Sequence, residues 1–599
     1  VRSAEWLYGL LGKFEGLRAR RVALVVALVL VAPAVVSGFA LDDYVLLYQM
    51  AGPDGEWAGS APFDLFRWMD PAHDQRLIDG AGMPWWTFEG AKCAFLRPLS
   101  SLSHALDHWL WPDSAFWMHV HSVAWFALLL FVAFKVYAAL LESRWVAGVA
   151  CTMFAVDSAH GATVGWISNR NALIGAAFGI GALLCHHRRR SGAGFGFAIA
   201  AWGCFALSLS SAELGVAIFG YLLVYALLFE QGSLRSRTAS MLPYTIVFIA
   251  WSAIRSAAKY GSFGLGAYVD PMAEPWAFVK ALPSRFLVLM SSQISRLGSD
   301  LYDLVPAPVQ PLLLAWALIV CGVMVWLIWP SLRTKRTLRF WAGGAIVSVL
   351  PLAATVPSDR LLTLVGFGVM PVLAQAIHDA LQAARDVRDR TGASVARVHD
   401  LRVTCAFLLA FVHCVLDPAL LPLLSLSPAL IAHGTETTEA SLPADAALRE
   451  QTVIVAEVPD SVLLSYLPVM RSFNGRPRPD KLYWLAATHA SARFERRGPN
   501  MLRVTSEAGF FDRRSEARSP EFPLRKGDRV ELSQMTVEIV ELTRDGRPAV
   551  CDFVFALPLE SPSYVWRTWR DGRLQPFRVP AEGESVRYAT SSTLDHPRT

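Results

Sequence analysis

VALVVALVLVAPAVVSGFALDDY, residues 22–44, decides the reading of this chain. Residues 22–41 carry no charge, and about 20 apolar residues in a helix are what the hydrocarbon core of a bilayer requires. Two carboxylates, Asp42 and Asp43, follow at once. Desolvating a carboxylate is costly, so an acid pair kept at the mouth of a first span points to function. Arg18, Arg20 and Arg21 precede the run, and the positive-inside rule then sets the N-terminus in the cytoplasm and Asp42 outside. A cleaved signal peptide is the competing reading, with Gly38 and Ala40 at acceptable cleavage positions. The length of the run and the missing spacer before the acids favour an uncleaved anchor.

Composition agrees with a membrane protein. The 599 residues are 54% hydrophobic and 18% charged, with mean hydropathy +0.36, too apolar for an ordinary soluble chain. From His433 onward 23 basic residues balance 23 acidic ones, so the net charge of +5 belongs to the part before it. That excess fits cytoplasmic loops; no arginine-rich or RNA-binding module is visible, and no nucleic-acid partner is expected. Of the eight cysteines, Cys93 and Cys551 alone fall in expected extramembrane segments and are the one pair worth considering as a disulfide. There is no zinc spacing.

Along the chain, 1–21 reads as a cytoplasmic N-terminus and 22–432 as a membrane domain with a long first outer loop at 42–115. That loop holds 11 acidic and 4 basic residues, and Trp68, Trp85, Trp86, Trp109 and Trp111 suggest interfacial helices at the headgroup level. Further crossings are expected at 116–141, 145–156, 171–185, 195–210, 214–229, 239–257, 311–329, 340–356, 361–378 and 403–424, about eleven in all. Alternation puts Arg144, the 186–190 cluster, Arg235 with Arg237, 333–339 and 385–402 on one side, the cytoplasmic one. Residues 276–294 read as an interfacial or re-entrant helix. The C-terminal region then lies outside, in a periplasmic or extracellular space. Residues 433–451 read as a linker and 452–599 as a soluble β domain, a sandwich, ending in a frayed tail. Its expected strands include 452–458, 529–532, 536–543 and 549–556, with turns at Asp545-Gly546 and Asp571-Gly572. Tyr564, Trp566, Trp569 and Phe577 are either sandwich core or a platform for a sugar ring.

Under this topology Asp42, Asp43, Arg97, Asp157, His160, Arg170, Glu213, Asp359 and Arg360 share the outer face. Acids beside arginines at a membrane surface suit a reaction in which phosphate leaves: a carboxylate deprotonates an acceptor, and guanidinium groups hold the phosphate bidentately. Blander readings stand beside this one. Asp359 and Arg360 form a simple ion pair, His160 packs internally, Glu213 opens a helix, and Arg97 caps one.

The motifs also resemble a family. Asp42-Asp43-Tyr44 is similar to the first-loop acidic motif of the GT-C superfamily of membrane glycosyltransferases, which use polyprenyl-phosphate-linked sugars. Leu96-Arg97-Pro98-Leu99, the run Leu106 to Trp111 and His119 resemble that family's segment before the second span. Val164 to Asn171 resembles its Val-Ala-Trp-Ile-Ser-x-Arg segment, and Ser211-Ala212-Glu213 its Ser-Lys-Glu. Pro243-Tyr244 and Asp359-Arg360 also have counterparts, and the branch most like this chain contains protein O-mannosyltransferases. Two departures are evident. Asp157-Ser158-Ala159-His160-Gly161-Ala162 stands where members carry His-Pro-x-His-x-Glu, and Ala212 replaces the lysine. No 34-residue helical repeat follows.

The resemblance implies a multi-pass enzyme of the inner (plasma) membrane. It would transfer a sugar from a polyprenyl-phosphate donor to a lipid, glycan or protein acceptor with inversion, Asp42 or Asp43 being the general base. Arg170 and Arg360 are the candidates for the lipid phosphate, with Arg97, Asp157, His160, Glu213 and Asp359 as further substrate-binding residues. No cofactor is required, and a divalent metal is possible but not indicated. The alternative function is a catalytically inactive scaffold or transporter with a glycan-binding outer domain.

Overall fold

The computed structural model describes residues 2–51, 62–70, 74–80, 82–391, 396–488, 490–511 and 517–588. The frayed tail expected after 588 and part of the basic cluster 385–402 lie outside the described residues. The chain forms two compact units. One comprises Val1–Gly38, Phe95–Lys259 and Pro275–Pro428, and the other Phe39–Ala94, Tyr260–Glu274 and Ala429–Thr599.

The first unit is helical. Each of the expected crossings falls on a helix, and among the described residues five stretches are long and apolar enough to span a membrane: Gly16–Val36, Ala115–Leu140, Gln310–Thr334, Thr363–Arg385 and Leu401–Ala440, the last running past Pro428 into the second unit. The first begins and ends about five residues earlier than expected from 22–41. Pro33 tightens Ala32–Val36 into a 3-10 turn, Gly38 then takes φ 75° and Leu41 φ 46°, and a new helix, Asp42–Ala51, starts at the acids. Pro275–Ser295, expected as interfacial or re-entrant, is a helix of 21 residues with Pro283 inside it. The core is aromatic: Tyr137 stacks on Phe367 at 5.2 Å and packs edge-on to Trp341 and Phe154. Its hydroxyl donates to the Phe367 carbonyl at 2.7 Å, and that of Tyr221 to Leu364 at 2.8 Å, so neither burial leaves a polar group unmet.

Small residues set one close approach. The short helix His160–Gly165 lies against the end of Asp417–Ser425, and a Cβ on Gly165 would stand 2.0 Å from the Ser425 carbonyl oxygen. At Gly161, four residues earlier, a Cβ would stand 2.6 Å from the Leu424 Cβ, and this spacing lets two helices touch backbone to backbone.

The second unit is strand-rich, with two of its sheets built from the C-terminal strands. A six-stranded sheet is antiparallel throughout, whereas in a four-stranded sheet Thr452–Val458 pairs in parallel with both Lys481–Ala487 and Tyr564–Arg570. Parallel neighbours need a crossover, supplied here by two short helices, Val462–Ser465 and Leu467–Phe473. Thr452–Val458 is buried along its whole length, as a central parallel strand is, while Met501–Ser506 alternates buried and partly exposed positions. Asp571 and Gly572 both take positive φ and join Tyr564–Arg570 to Arg573–Pro576, the two-residue hairpin turn their identities predict.

Three expectations are corrected. Trp85 and Trp86 do not line a headgroup interface. They are 2% and 0% exposed, in the core of the strand-rich unit against Phe510, Phe553 and Phe511; Trp109 is 78% exposed. The stretch read as a linker is helical over Ser427–Ala440 and Ala446–Glu450. Cys93 and Cys551 are buried free thiols, not a disulfide. Tyr564, Trp566, Trp569 and Phe577 are buried, hence core; each such side chain contributes about 1.5–3 kcal/mol by leaving water.

Candidate active site

The acid pair separates into two environments. The left-handed turn at Leu41 brings the Asp43 carboxylate back to the Ala40 N–H at 2.9 Å, and Asp43 is 2% exposed, holding the start of its own helix. Asp42 is partly exposed, and its Oδ1 accepts from the Tyr466 hydroxyl at 2.6 Å. Around them Phe39, Tyr44 and Phe473 meet edge-on with centroids 5.4–6.0 Å apart. The Arg478 guanidinium donates to the Tyr48 hydroxyl at 3.1 Å. Burial, reinforced by Glu436 and Asp43, pushes the Tyr44 phenol well above its ordinary value, so it stays protonated.

In the helical unit the expected residues fall into four groups. Arg97 and Glu213 pair, Nε to Oε2 at 2.8 Å, with the guanidinium over the Phe95 ring. The backbone sets this up, because the Leu99 N–H and the Ser100 hydroxyl donate to the Ser210 and Ser211 carbonyls. Arg360 lies 4.9 Å over the face of Trp166, and the Thr163 hydroxyl donates to its carbonyl. Asp359 does not simply neutralise Arg360: its Oδ1 accepts from the Ser292 and Ser299 hydroxyls and the Ser299 N–H at 2.7–2.8 Å. The Asp359 N–H in turn donates to Asp300, whose carboxyl burial and Asp359 push above the usual range.

Arg170 and His160 are interior. Arg170 is fully buried and ion-paired to Asp107, with Nε on the Ser122 hydroxyl at 2.9 Å and Nη2 on the Met118 carbonyl at 2.6 Å. His121 completes the group, with Nδ1 on Asp107 at 2.6 Å and Nε2 accepting from Trp125. His160 sits between the rings of Phe126 and Phe154, its Nε2 2.9 Å from the Phe154 carbonyl. Both side chains are fully buried.

Asp157 belongs to a second buried network. Arg296 Nη2 reaches it at 2.7 Å, Gln293 donates at 2.9 Å, and Arg296 Nε reaches Asp417 at 2.9 Å. Asp417 also accepts from the Ser158 hydroxyl and faces His413 Nδ1 at 2.8 Å, while His413 Nε2 lies 3.0 Å from the Ile294 carbonyl. Arg296 follows the helix Pro275–Ser295 at φ 60°, a conformation rare without glycine, and two carboxylates hold it there. Val412–Leu416 widens into a π turn just before Pro418, whose ring would otherwise meet the carbonyl four residues back.

Arg296, Asp417 and His413 were not singled out from the sequence. His413 and Asp417, four apart within an apolar run, were the available signal, since ionisable residues in a span are rare without a partner. Among the described residues no three or more His, Cys, Asp or Glu side chains are grouped so as to hold a metal ion. A polar cavity of about 350 Å³ in the strand-rich unit, lined by Thr87, Glu89, Arg518 and Glu531 among others, contains none of the expected site residues.

No family model matches the chain, and no curated protein matches it. Among solved structures, ArnT from Cupriavidus metallidurans bound to undecaprenyl phosphate is similar at 14% identity and TM-score 0.35, covering 77% of this chain and 89% of that one. The Archaeoglobus fulgidus oligosaccharyltransferase tethered with an acceptor peptide is similar at 11% identity and TM-score 0.36, covering 78% and 63% respectively.

Proposed function

We propose that this protein is a membrane glycosyltransferase that moves a sugar from a polyprenyl-phosphate donor to an acceptor hydroxyl on the outer face, with Asp42 as general base. The observation that carries the assignment is the split between the two acids: Asp43 is buried with its carboxylate on the Ala40 N–H, while Asp42 is partly exposed with its Oδ1 on the Tyr466 hydroxyl. A general base must lie where the acceptor hydroxyl can reach it, and of the two acids Asp42 is the one that is partly exposed. The ordered motifs between residues 22 and 380 support the same reading.

In the reaction the acceptor O–H gives its proton to the Asp42 carboxylate as its oxygen attacks the anomeric carbon. The bond from that carbon to the phosphate oxygen breaks, polyprenyl phosphate leaves with the electron pair, and the anomeric centre inverts. For the phosphate we assign Arg360 and Arg97 in place of Arg170. A guanidinium stacked on an aromatic face keeps its N–H edge available for a bidentate anion, and Arg360 over Trp166 has that arrangement. Acceptors are a lipid, glycan or protein bearing a hydroxyl.

The test is transfer from labelled polyprenyl-phosphate sugars in membranes. Wild type gives product of inverted anomeric configuration, and Asp42→Asn loses about 10²–10⁴-fold in rate at equal protein level. Equal transfer by both contradicts the assignment. One observation favours the scaffold or transporter reading: Asp417, in the last long apolar stretch, is paired in the interior with both His413 and Arg296. No wild-type turnover with any donor, together with bound glycan, would decide for it.

A further inference from the structure

The crossover that links the parallel strands Thr452–Val458 and Lys481–Ala487 ends on the first-loop acid. After the strand, Asp460 accepts the Val462 N–H at 2.9 Å and so starts the helix Val462–Ser465. Ser461, beside it, accepts from the Trp484 indole at 3.2 Å, which pins the start of the crossover to the neighbouring strand. Tyr466 is the hinge between this helix and Leu467–Phe473. At the far end Phe473 packs edge-on to Phe39 at 5.4 Å and to Tyr44 at 5.5 Å, the residues flanking the acids in sequence. Tyr466 is therefore fixed from both sides. Loops beyond the carboxyl ends of parallel strands are where such sheets place functional groups.

From this position the Tyr466 hydroxyl donates to Asp42 Oδ1 at 2.6 Å. A phenol can only donate to a carboxylate, so the bond favours the ionised acid and fixes the plane of its two oxygens.

We propose that Tyr466 is the positioning residue of Asp42, so that the C-terminal region takes part in the transfer step itself and does not merely bind an acceptor. The inference rests on Asp42 being the general base. The variant is Tyr466→Phe, which keeps the ring and removes the hydroxyl alone, tested in the full-length protein with the labelled donors above.

The expected result is a fall in kcat of about tenfold or more with little change in donor KM. The acid limb of the rate profile moves to higher pH, because an Asp42 carboxyl without its donor protonates more readily. Wild-type kcat with an unmoved acid limb overturns the proposal, and so does a lowered rate whose limb stays in place, which marks a merely structural role. If Asp42→Asn transfers as well as wild type, the general-base reading fails first and the inference falls with it. If Asp42→Asn is inactive and Tyr466→Phe is normal, the inference alone fails. Isotope-edited infrared titration, with Asp42→Asn to identify the band, reads the bond without turnover. An Asp42 midpoint that is the same in wild type and Tyr466→Phe refutes it.

Discussion

In the helical unit, Asp157 and Asp417 face Arg296 and His413, and Asp107 faces Arg170, with each of these side chains at most 2% exposed. In the strand-rich unit Asp42 lies partly exposed and meets the hydroxyl of Tyr466. Both groups begin as carboxylates beside apolar runs, and sequence treats them alike. They differ in burial: the acids of the helical unit are enclosed with the cations that compensate them, whereas Asp42 is partly exposed with a hydroxyl on one of its oxygens. Charge beside an apolar helix therefore marks structure as readily as chemistry, and accessibility decides between them.

Removing a cation from the buried side should produce the largest effect. Arg296→Met leaves two carboxylates uncompensated and is expected to cost about 3–5 kcal/mol, read as loss of folded protein in detergent, with Asp157→Asn and Asp417→Asn together restoring part of it. A stable Arg296→Met would mean that the network is not a closed structural unit. Gly165→Ala drives a Cβ into the Ser425 carbonyl and should cost about 1–3 kcal/mol, while Gly203→Ala, with open space at its Cβ, should not destabilise. Equal thermal midpoints for the two would break the packing account. Asp43→Ala removes a cap worth about 0.5–2 kcal/mol, a cost to stability that Asp42→Ala does not share.

The smallest effect is a pH dependence in the strand-rich unit. Burial acts to raise the Asp79 carboxyl, but the Ser533 N–H at 2.6 Å and the Tyr483 hydroxyl at 2.8 Å outweigh it and hold the group below the usual carboxylate range. A depressed acid contributes stability that is fully present above the unfolded value of about 3.9 and is lost as pH falls through the folded one. The stability difference between wild type and Asp79→Asn should accordingly shrink as pH drops from about 5 to about 3. A difference constant over that window would remove Asp79 from the account.

Much of the fold was legible because its signals are local. Apolar runs gave helices at the expected places, Thr452–Val458 reads as a strand from its β-branched run, and Asp571-Gly572 announces its turn. What stayed hidden depends on pairing across the chain. Trp85 and Trp86 suit an interface and a core equally by composition, and only folding with residues past 429 makes them core. The parallel pairing of Thr452–Val458 was hidden for the same reason, and with it Tyr466, a tyrosine in a short loop with nothing local to mark it. In the candidate site, the acid pair was visible but its division of labour was not. The Ala40 N–H and the Tyr466 hydroxyl lie on the two sides of that division, and the second is 424 residues away.

The most direct test of the central claim is the transfer rate of Asp42→Asn against Asp43→Asn, each normalised to folded protein. The account predicts that Asp42→Asn loses about 10²–10⁴-fold while Asp43→Asn, which retains an acceptor for the Ala40 N–H, stays within about tenfold of wild type. The reverse order, or equal rates for both, would contradict it.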